Sequence, residues 1–582
     1  MRKKIATCLN AFKNSLFLRG IFVLGFSGVL CKLIGMFYRI PLTNILGSGG
    51  MGVYGLVYPI YSLLLVVSSS ALPLALSKIV AENVALKDYN YIRRLKKIAL
   101  NLMLLIGGVL TLLLIIFSGQ ITNLQGVAEA KLAFIFIAPS ILIVGLICVY
   151  RGIFQGLVEM KPTAISQLIE QCIKLVLGLI LAILLLPFGV AYAVGGAMLA
   201  ITISEAVALL YLIIKFNHLN KKQTKSGRQI ANANIIAYEN KLKNNNLVES
   251  ESHLIKSENS GKINAKNKTI TATKNAISTK ASVTKNAKNG KSASVKQNVI
   301  EVKTTKILSN LVKVCVPITF SGLVIPLCLV IDSFLIVNVL VMFGTGANVA
   351  LADYGLYSNV VNTLINVPIV LIGSLGAVTL PLIAKAILAK EPLKMRETVA
   401  KCINFTIFIC VPCVLVFALL PTPILNVLYP ALTGGEIETA SRLLVISAST
   451  IFSLGVFYIS TSVLQGAGKN KFCIINCCIC SILRILIYVL LIKMYGIYAV
   501  AMAGAIMYFA MAIINVCYMI RCTGCGRLSI IKIFNFALIF ICITLCIYLC
   551  LVGFMGCYAI LIALLLGGLI YLLLNFKMLI KG

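Results

Sequence analysis

Stretches of about twenty apolar residues, nearly free of charge, recur from one end of this chain to the other, and no other feature constrains its fold as strongly. Fourteen such runs, bounded by charges or turn residues, cover residues 19–39, 54–76, 98–118, 132–152, 164–186, 191–214, 311–340, 355–383, 402–420, 441–463, 472–492, 497–520, 532–552 and 557–576. Lipid offers a backbone no hydrogen-bond partner but itself, so runs of this kind must be helices. Strands of a membrane β-barrel would be shorter and would alternate in polarity, and these do neither. Only 12% of the 582 residues are charged and the mean hydropathy is +1.01, more apolar surface than a water-soluble globule can hide. A soluble enzyme, a disulfide-rich secreted domain and a fibrous protein are thereby excluded. The expected fold class is an all-α polytopic membrane protein with 14 transmembrane helices.

Positive charge orients the spans. With the N-terminus in the cytoplasm, 45 of the 52 Lys and Arg fall on cytoplasmic segments, and the reverse orientation would place those 45 outside. Arg39, Lys131 and Lys493 then sit at outer ends, and Lys32, Lys174, Arg442 and Arg484 within spans. Both termini are therefore expected in the cytoplasm. The start, Met1-Arg2-Lys3-Lys4, is followed by no small-residue cleavage site, and Ile5, Leu9, Phe12 and Leu16 are expected to form one face of a short interfacial helix leading into span 1.

The net charge of +35 is no nucleic-acid signal, because residues 217–303 hold 17 Lys and Arg against five acids in a Lys/Asn/Ser/Thr/Ala mixture with no apolar period. That segment reads as a disordered cytoplasmic linker beside anionic lipid headgroups, with RNA binding or regulation as the competing role. The only histidines, His218 and His253, lie in it, so the membrane offers no histidine-based catalysis or metal site. Most of the 20 cysteines lie inside spans, where Cys is a small apolar residue. Cys473, Cys477, Cys478 and Cys480 open span 11 with no second ligand group, and Cys522-Thr523-Gly524-Cys525 is a lone C-x-x-C, a weak zinc or redox signal. No cofactor is expected.

The linker divides the first twelve spans into two sets of six that resemble each other. Leu72-Pro73-Leu74-Ala75 near the end of span 2 matches Leu380-Pro381-Leu382-Ile383 near the end of span 8, and Gly52-Val53-Tyr54 matches Gly355-Leu356-Tyr357. Span 4 ends in Phe154-Gln155-Gly156 and span 10 in Leu464-Gln465-Gly466; eighteen residues beyond these glycines stand Lys174 and Arg484. Gly189-Val190-Ala191-Tyr192 and Gly496-Ile497-Tyr498-Ala499 open spans 6 and 12. Six spans per half give both halves the same orientation, so the repeats are parallel and the layout is that of an alternating-access transporter with its site between two lobes. The expected organisation is an N-terminal lobe over 1–216, a linker over 217–306, a C-terminal lobe over 307–521, and spans 13 and 14 as an appendage over 522–582.

A charge at mid-bilayer costs roughly 2.5–3.5 kcal/mol on insertion scales, so each one needs a partner or a task. The membrane charges are Lys32, Arg39, Glu170, Lys174, Glu205, Asp332, Arg442 and Arg484, five basic against three acidic. One reading is a cationic cavity for a phosphate or diphosphate, since Arg serves as a fork donor and Lys as a point charge. Lys174 and Arg484 would face each other across it. The competing reading is internal pairing, of Glu170 with Lys174 one turn away and of Asp332 with Arg39 or Lys32. Lys32 and Arg484 have no acid one turn away on their own helices, which favours a task for them. For Arg442 an interfacial snorkel is favoured.

The stretch from Lys32 through Arg39 to Leu42, with Gly52-Val53-Tyr54-Gly55-Leu56, Leu72-Pro73 to Glu82, Phe154-Gln155-Gly156 and Pro162 to Gln171, resembles the polysaccharide-biosynthesis proteins. That group includes the stage V sporulation protein B family and its MviN-like lipid II flippase relatives, within the multidrug/oligosaccharidyl-lipid/polysaccharide exporter superfamily. The resemblance implies two six-helix lobes in a V around a cationic cavity, and spans 13 and 14 as a groove for a lipid tail. It implies flipping of undecaprenyl-pyrophosphate-linked saccharides to the outer leaflet, and a role in peptidoglycan, polysaccharide or sporulation wall synthesis. The basic residues of span 1 carry over onto Lys32 and Arg39. Better-known lipid II flippases also place charges in spans 2 and 8, where Met51 to Ser77 and Tyr354 to Ala384 carry none. Lys174 and Arg484 are the candidate replacements. The expected site is therefore Lys32, Arg39, Lys174, Arg484 and Glu170 for the diphosphate, with Asp332 and Glu205 for a coupling Na+ or H+. The alternatives are a cation-coupled multidrug exporter, which would need a mainly acidic cavity, and a membrane enzyme, which would need a larger outer loop. No P-loop is present, so ATP is not the expected energy source.

Overall fold

The computed structural model describes residues 16–69, 71–86, 88–219 and 322–524, with a few positions between 309 and 319 and between 539 and 570. Every regular element among them is helical. In chain order they are α1 (Leu16–Ser69), α2 (Leu72–Ala85), α3 (Tyr89–Gln125), α4 (Lys131–Gly156), α5 (Met160–Leu185) and α6 (Val190–Leu219). The second half has α7 (Val324–Met342), α8 (Ala347–Gly355), a π-helical turn (Leu356–Val361), α9 (Asn362–Leu388), α10 (Pro392–Leu419) and the short α11 (Pro421–Leu428). It closes with α12 (Gly434–Gly466), α13 (Asn470–Tyr495) and α14 (Tyr498–Thr523). Eleven stretches among the described residues are long and apolar enough to cross a membrane, and they hold the first twelve expected spans because the first, Ser27–Val84 along α1 and α2, carries two. The polytopic all-α class stands. All but a few positions of spans 13 and 14, Ile5, Leu9 and Phe12 of the N-terminal interfacial face, Cys525 and all but the start of the linker lie outside the described residues; helix α6 itself runs three residues into the expected linker, to Leu219.

The first correction concerns the boundary between spans 1 and 2. Arg39 and Pro41 suggest an end near residue 39, yet the helix continues to Gly47, which has φ +68 and ψ −178 and divides α1. A side chain would be strained at that φ, and glycine is not. Pro41 removes one N–H from the ladder without ending the helix, and the Thr43 hydroxyl donates to the Arg39 carbonyl at 2.8 Å one turn back. Arg39 therefore lies about two turns inside the helix rather than at its end.

Equivalent glycines of the repeat make equivalent contacts. A Cβ on Gly156 would lie 2.6 Å from the Val80 Cβ and 2.8 Å from the Ser77 carbonyl; one on Gly466 would lie 2.8 Å from the Leu380 carbonyl and 3.0 Å from the Ile383 Cβ. In each half, the end of the fourth span packs backbone-close on the end of the second.

The halves meet mainly through α1, which packs on α7, α8, the π turn and α9. The hydrogen bonds across this seam gather near Gly47. Asn44 Nδ2 donates to the Leu428 carbonyl at 2.9 Å, Asn359 Nδ2 to the Met51 carbonyl at 2.7 Å, and the Tyr354 hydroxyl to the Gly55 carbonyl at 3.2 Å. The Ser48 hydroxyl donates to Glu436 at the start of α12. Glu436 also accepts from the Thr433 backbone N–H at 2.8 Å in a capping box, so one carboxylate ties the helix start to α1. Thr433→Ala is expected to cost about 1 kcal/mol through the lost cap, read as a lower thermal midpoint in detergent.

Candidate substrate cavity

The charges that matter face a cavity of about 440 Å³ bounded by α1, α5, α9 and α12. Three helices reach it through one periodic face each: Lys32, Gly35, Met36 and Arg39 from α1, Gln171 and Lys174 from α5, and Thr363, Asn366, Ile369, Val370 and Gly373 from α9. Tyr38, Tyr54, Tyr58 and Tyr458 complete most of the wall. Helices α1 and α5 can approach closely there because Gly178 faces Tyr38, where a Cβ would come within 2.6 Å of the hydroxyl.

Aromatic faces hold two of the cations. The Arg39 guanidinium lies 5.3 Å from the Tyr58 ring centroid and 6.0 Å from that of Tyr54, and the Lys174 ammonium lies 5.8 Å from the Tyr38 ring. Such contacts steady a cation without neutralising it. Arg39 also reaches the second half, its Nη1 donating to the Thr363 hydroxyl at 3.5 Å. Among the described residues, Lys32, Arg39 and Lys174 have no carboxylate within ion-pair distance, and no acid lines the cavity.

Glu170 and Lys174 do not pair. The Glu170 carboxylate accepts from Arg151 Nη2 at 3.0 Å and from Gln171 Nε2 at 3.1 Å, and Arg151 Nε donates to Ser166 at 3.1 Å. Helix α4 supplies the cation for Glu170, which leaves Lys174 to the cavity. Arg151 stands at the end of the apolar run 132–152, three residues before Phe154-Gln155-Gly156.

Arg484 is likewise relocated. It is buried inside the second half, where its Nη1 donates to Asp332 on α7 at 2.6 Å and its Nη2 to the Tyr357 hydroxyl at 3.4 Å. The two side chains are 8% and 5% exposed, so this is a buried ion pair and not part of the cavity wall. Asp332 pairs with neither Arg39 nor Lys32. Lys174 and Arg484 occupy equivalent repeat positions in different surroundings, one lining the cavity and one neutralised. Arg442 pairs with Glu438 one turn away at the exposed start of α12.

Glu205 on α6 is 3% exposed. It accepts from the Tyr61 hydroxyl at 2.7 Å, and its second oxygen has no hydrogen-bond partner among the described residues. No group of three metal-ligating side chains occurs among the described residues.

Two family models match the chain, polysaccharide biosynthesis protein over residues 17–235 and lipid II flippase MurJ over residues 290–578. Stage V sporulation protein B of Bacillus subtilis is 30% identical over 203 residues, which cover 35% of this chain and 39% of that protein. Lipid II flippase MurJ of Bacillus subtilis is 23% identical over 514 residues, 85% of this chain and 81% of that protein. Among solved structures, lipid II flippase MurJ in an inward closed conformation superposes with a TM-score of 0.63 at 16% identity, over 96% of this chain and 100% of that one. An inward-facing multidrug resistance MATE family transporter of the MOP superfamily gives 0.60 at 14% identity, over 85% and 94%. At these identities the superpositions speak for the fold.

Proposed function

We propose, on the premise that the chain is a relative of the polysaccharide-biosynthesis proteins and lipid II flippases, that it flips an undecaprenyl-pyrophosphate-linked saccharide from the inner to the outer leaflet by alternating access. One observation carries the reading: Lys32, Arg39 and Lys174 converge on a single cavity whose lining holds no acid. Unpaired cations at membrane depth are costly, and a diphosphate is the chemistry that repays them. Spans 1–6 and 7–12 are the two moving lobes, and spans 13 and 14 shelter the polyprenyl tail. With both termini in the cytoplasm, the seam around Gly47 lies outward, so this state is sealed on the outside and receives cargo from within.

An inside-negative potential favours outward movement of the dianion by about 2.3 kcal/mol per charge per 100 mV, enough to bias the step without ATP. Any coupling by Na+ or H+ falls to Glu205, because Arg484 already occupies Asp332. A cation-coupled drug exporter with the same fold would present carboxylates to its cargo, and here the two paired membrane acids face Arg151 and Arg484 instead.

The reading is tested in proteoliposomes holding a fluorescent undecaprenyl-pyrophosphate saccharide and a quencher that cannot cross the bilayer. Wild type is expected to expose label beyond the half quenched without protein. Lys174→Gln and Lys32→Gln are each expected to slow this about tenfold or more, in line with a lost charge-assisted bond of roughly 1.5–3 kcal/mol. Unchanged flipping in both variants, or transport of a lipophilic cation with no flipping, contradicts the reading.

A further inference from the structure

The cavity is not evenly charged. All three cations come from the first half, on α1 and α5, while α9 and α12 contribute only uncharged side chains. The two walls touch where Arg39 Nη1 meets the Thr363 hydroxyl at 3.5 Å. From this partition we infer that the cavity has two adjoining subsites, diphosphate on the α1/α5 wall and an uncharged sugar on the α9/α12 wall, with Asn366 and Tyr458 setting sugar specificity. This rests on the flippase reading and deepens it.

The second wall has the chemistry a sugar needs. Asn366 is exposed, and its Nδ2 donates to the Asn362 carbonyl at 2.7 Å one turn back. That bond fixes the amide plane and leaves a carbonyl oxygen and one N–H for hydroxyl groups, a donor and an acceptor side by side. Tyr458 is 37% exposed, and its ring is held edge-on by Phe457 at 5.9 Å between centroids. An aromatic face with a polar tip suits a ring that is apolar on its C–H face and polar at its rim. Two turns beyond Asn366 on the same face of α9, a Cβ on Gly373 would meet nothing within 4 Å, so the wall is open there. A sugar placed here would be bonded directly to a diphosphate held by Arg39, as the shared seam requires. A charged sugar would find no countercharge among the α9 and α12 residues that line the cavity.

The test compares two lipids on purified full-length protein in detergent, undecaprenyl diphosphate and undecaprenyl diphosphate bearing one uncharged hexose, with affinities read by native mass spectrometry. Wild type is expected to prefer the sugar-bearing lipid. Asn366→Ala and Tyr458→Leu are expected to lower that preference about fivefold each, the scale of one lost hydrogen bond or ring contact. Gly373→Leu, which fills open space rather than removing a contact, is expected to do the same and covers the case in which either truncation unfolds the protein. Lys174→Gln should weaken both lipids and keep their ratio. An unchanged ratio in all three wall variants, or an equal loss for both lipids, overturns the inference alone. Wild-type protein that binds neither lipid overturns the flippase reading and this inference with it.

Discussion

Arg484→Met is expected to destabilise the folded protein by about 3–5 kcal/mol, among the largest effects of any single substitution in the chain. The reason is the company Asp332 would keep. Its carboxylate is 5% exposed and receives the Arg484 guanidinium at 2.6 Å; without that cation it is a lone buried charge within an apolar second half. Asp332→Leu leaves the mirror problem, a buried guanidinium whose one remaining hydrogen-bond acceptor among the described residues is the Tyr357 hydroxyl. The double replacement Asp332→Leu with Arg484→Met removes both charges and should regain most of the loss, because exchanging a whole buried pair for apolar side chains is often neutral or better. A denaturant series in detergent on the two singles and the double reads the coupling directly. Singles as stable as wild type would mean that the pair is solvated and the second half is packed differently.

The second large effect lies at the seam, at the two glycines that the repeat makes equivalent. A Cβ on Gly355 would fall 2.1 Å from the Ser48 carbonyl oxygen and 2.6 Å from the Gly52 nitrogen, and one on Gly52 would fall 2.2 Å from the Leu351 carbonyl oxygen. These neighbours are backbone, so no rotamer change relieves the clash and α1 must separate from α8. Overpacking of this kind costs about 1–3 kcal/mol or more. Under alternating access the cost applies to this seam-closed state, so Gly355→Val is expected to shift the population toward the seam-open state by about tenfold or more. Distances between spin labels carried by non-natural amino acids on the seam ends of α1 and α8 should lengthen in Gly355→Val. They should not lengthen in Gly156→Val, which crowds Val80 within the first half only. On the flippase reading, flipping should fall in Gly355→Val because the state proposed to load cargo is depleted. If the two ends stay together, the seam does not open in the transport cycle.

Much of this was readable in advance, for identifiable reasons. The spans follow from hydropathy because lipid leaves the backbone a single solution. Gly52, Gly156, Gly355 and Gly466 stood out as repeat positions, and each marks a place where backbones nearly touch. Lys32, Arg39 and Lys174 were legible as membrane cations, and the structure brings them to one wall. What the sequence hid was partnership between helices. Glu170 looks matched to Lys174 from one helix alone; only the packing of α4 on α5 shows that Arg151 takes it. Arg484 looked free because its acid sits on α7, far away in sequence. The helical path through Pro41 and the π turn after Gly355 are likewise set by packing, since local propensity disfavours both.

The central claim is that one cationic wall receives the diphosphate of a lipid-linked saccharide. Cryo-electron microscopy of the full-length protein in nanodiscs containing undecaprenyl diphosphate with an uncharged sugar tests it most directly. Diphosphate density is expected between Lys32, Arg39 and Lys174, with the sugar toward Asn366 and Tyr458. Lipid density that leaves the cavity empty and seats the diphosphate elsewhere on the protein would contradict it.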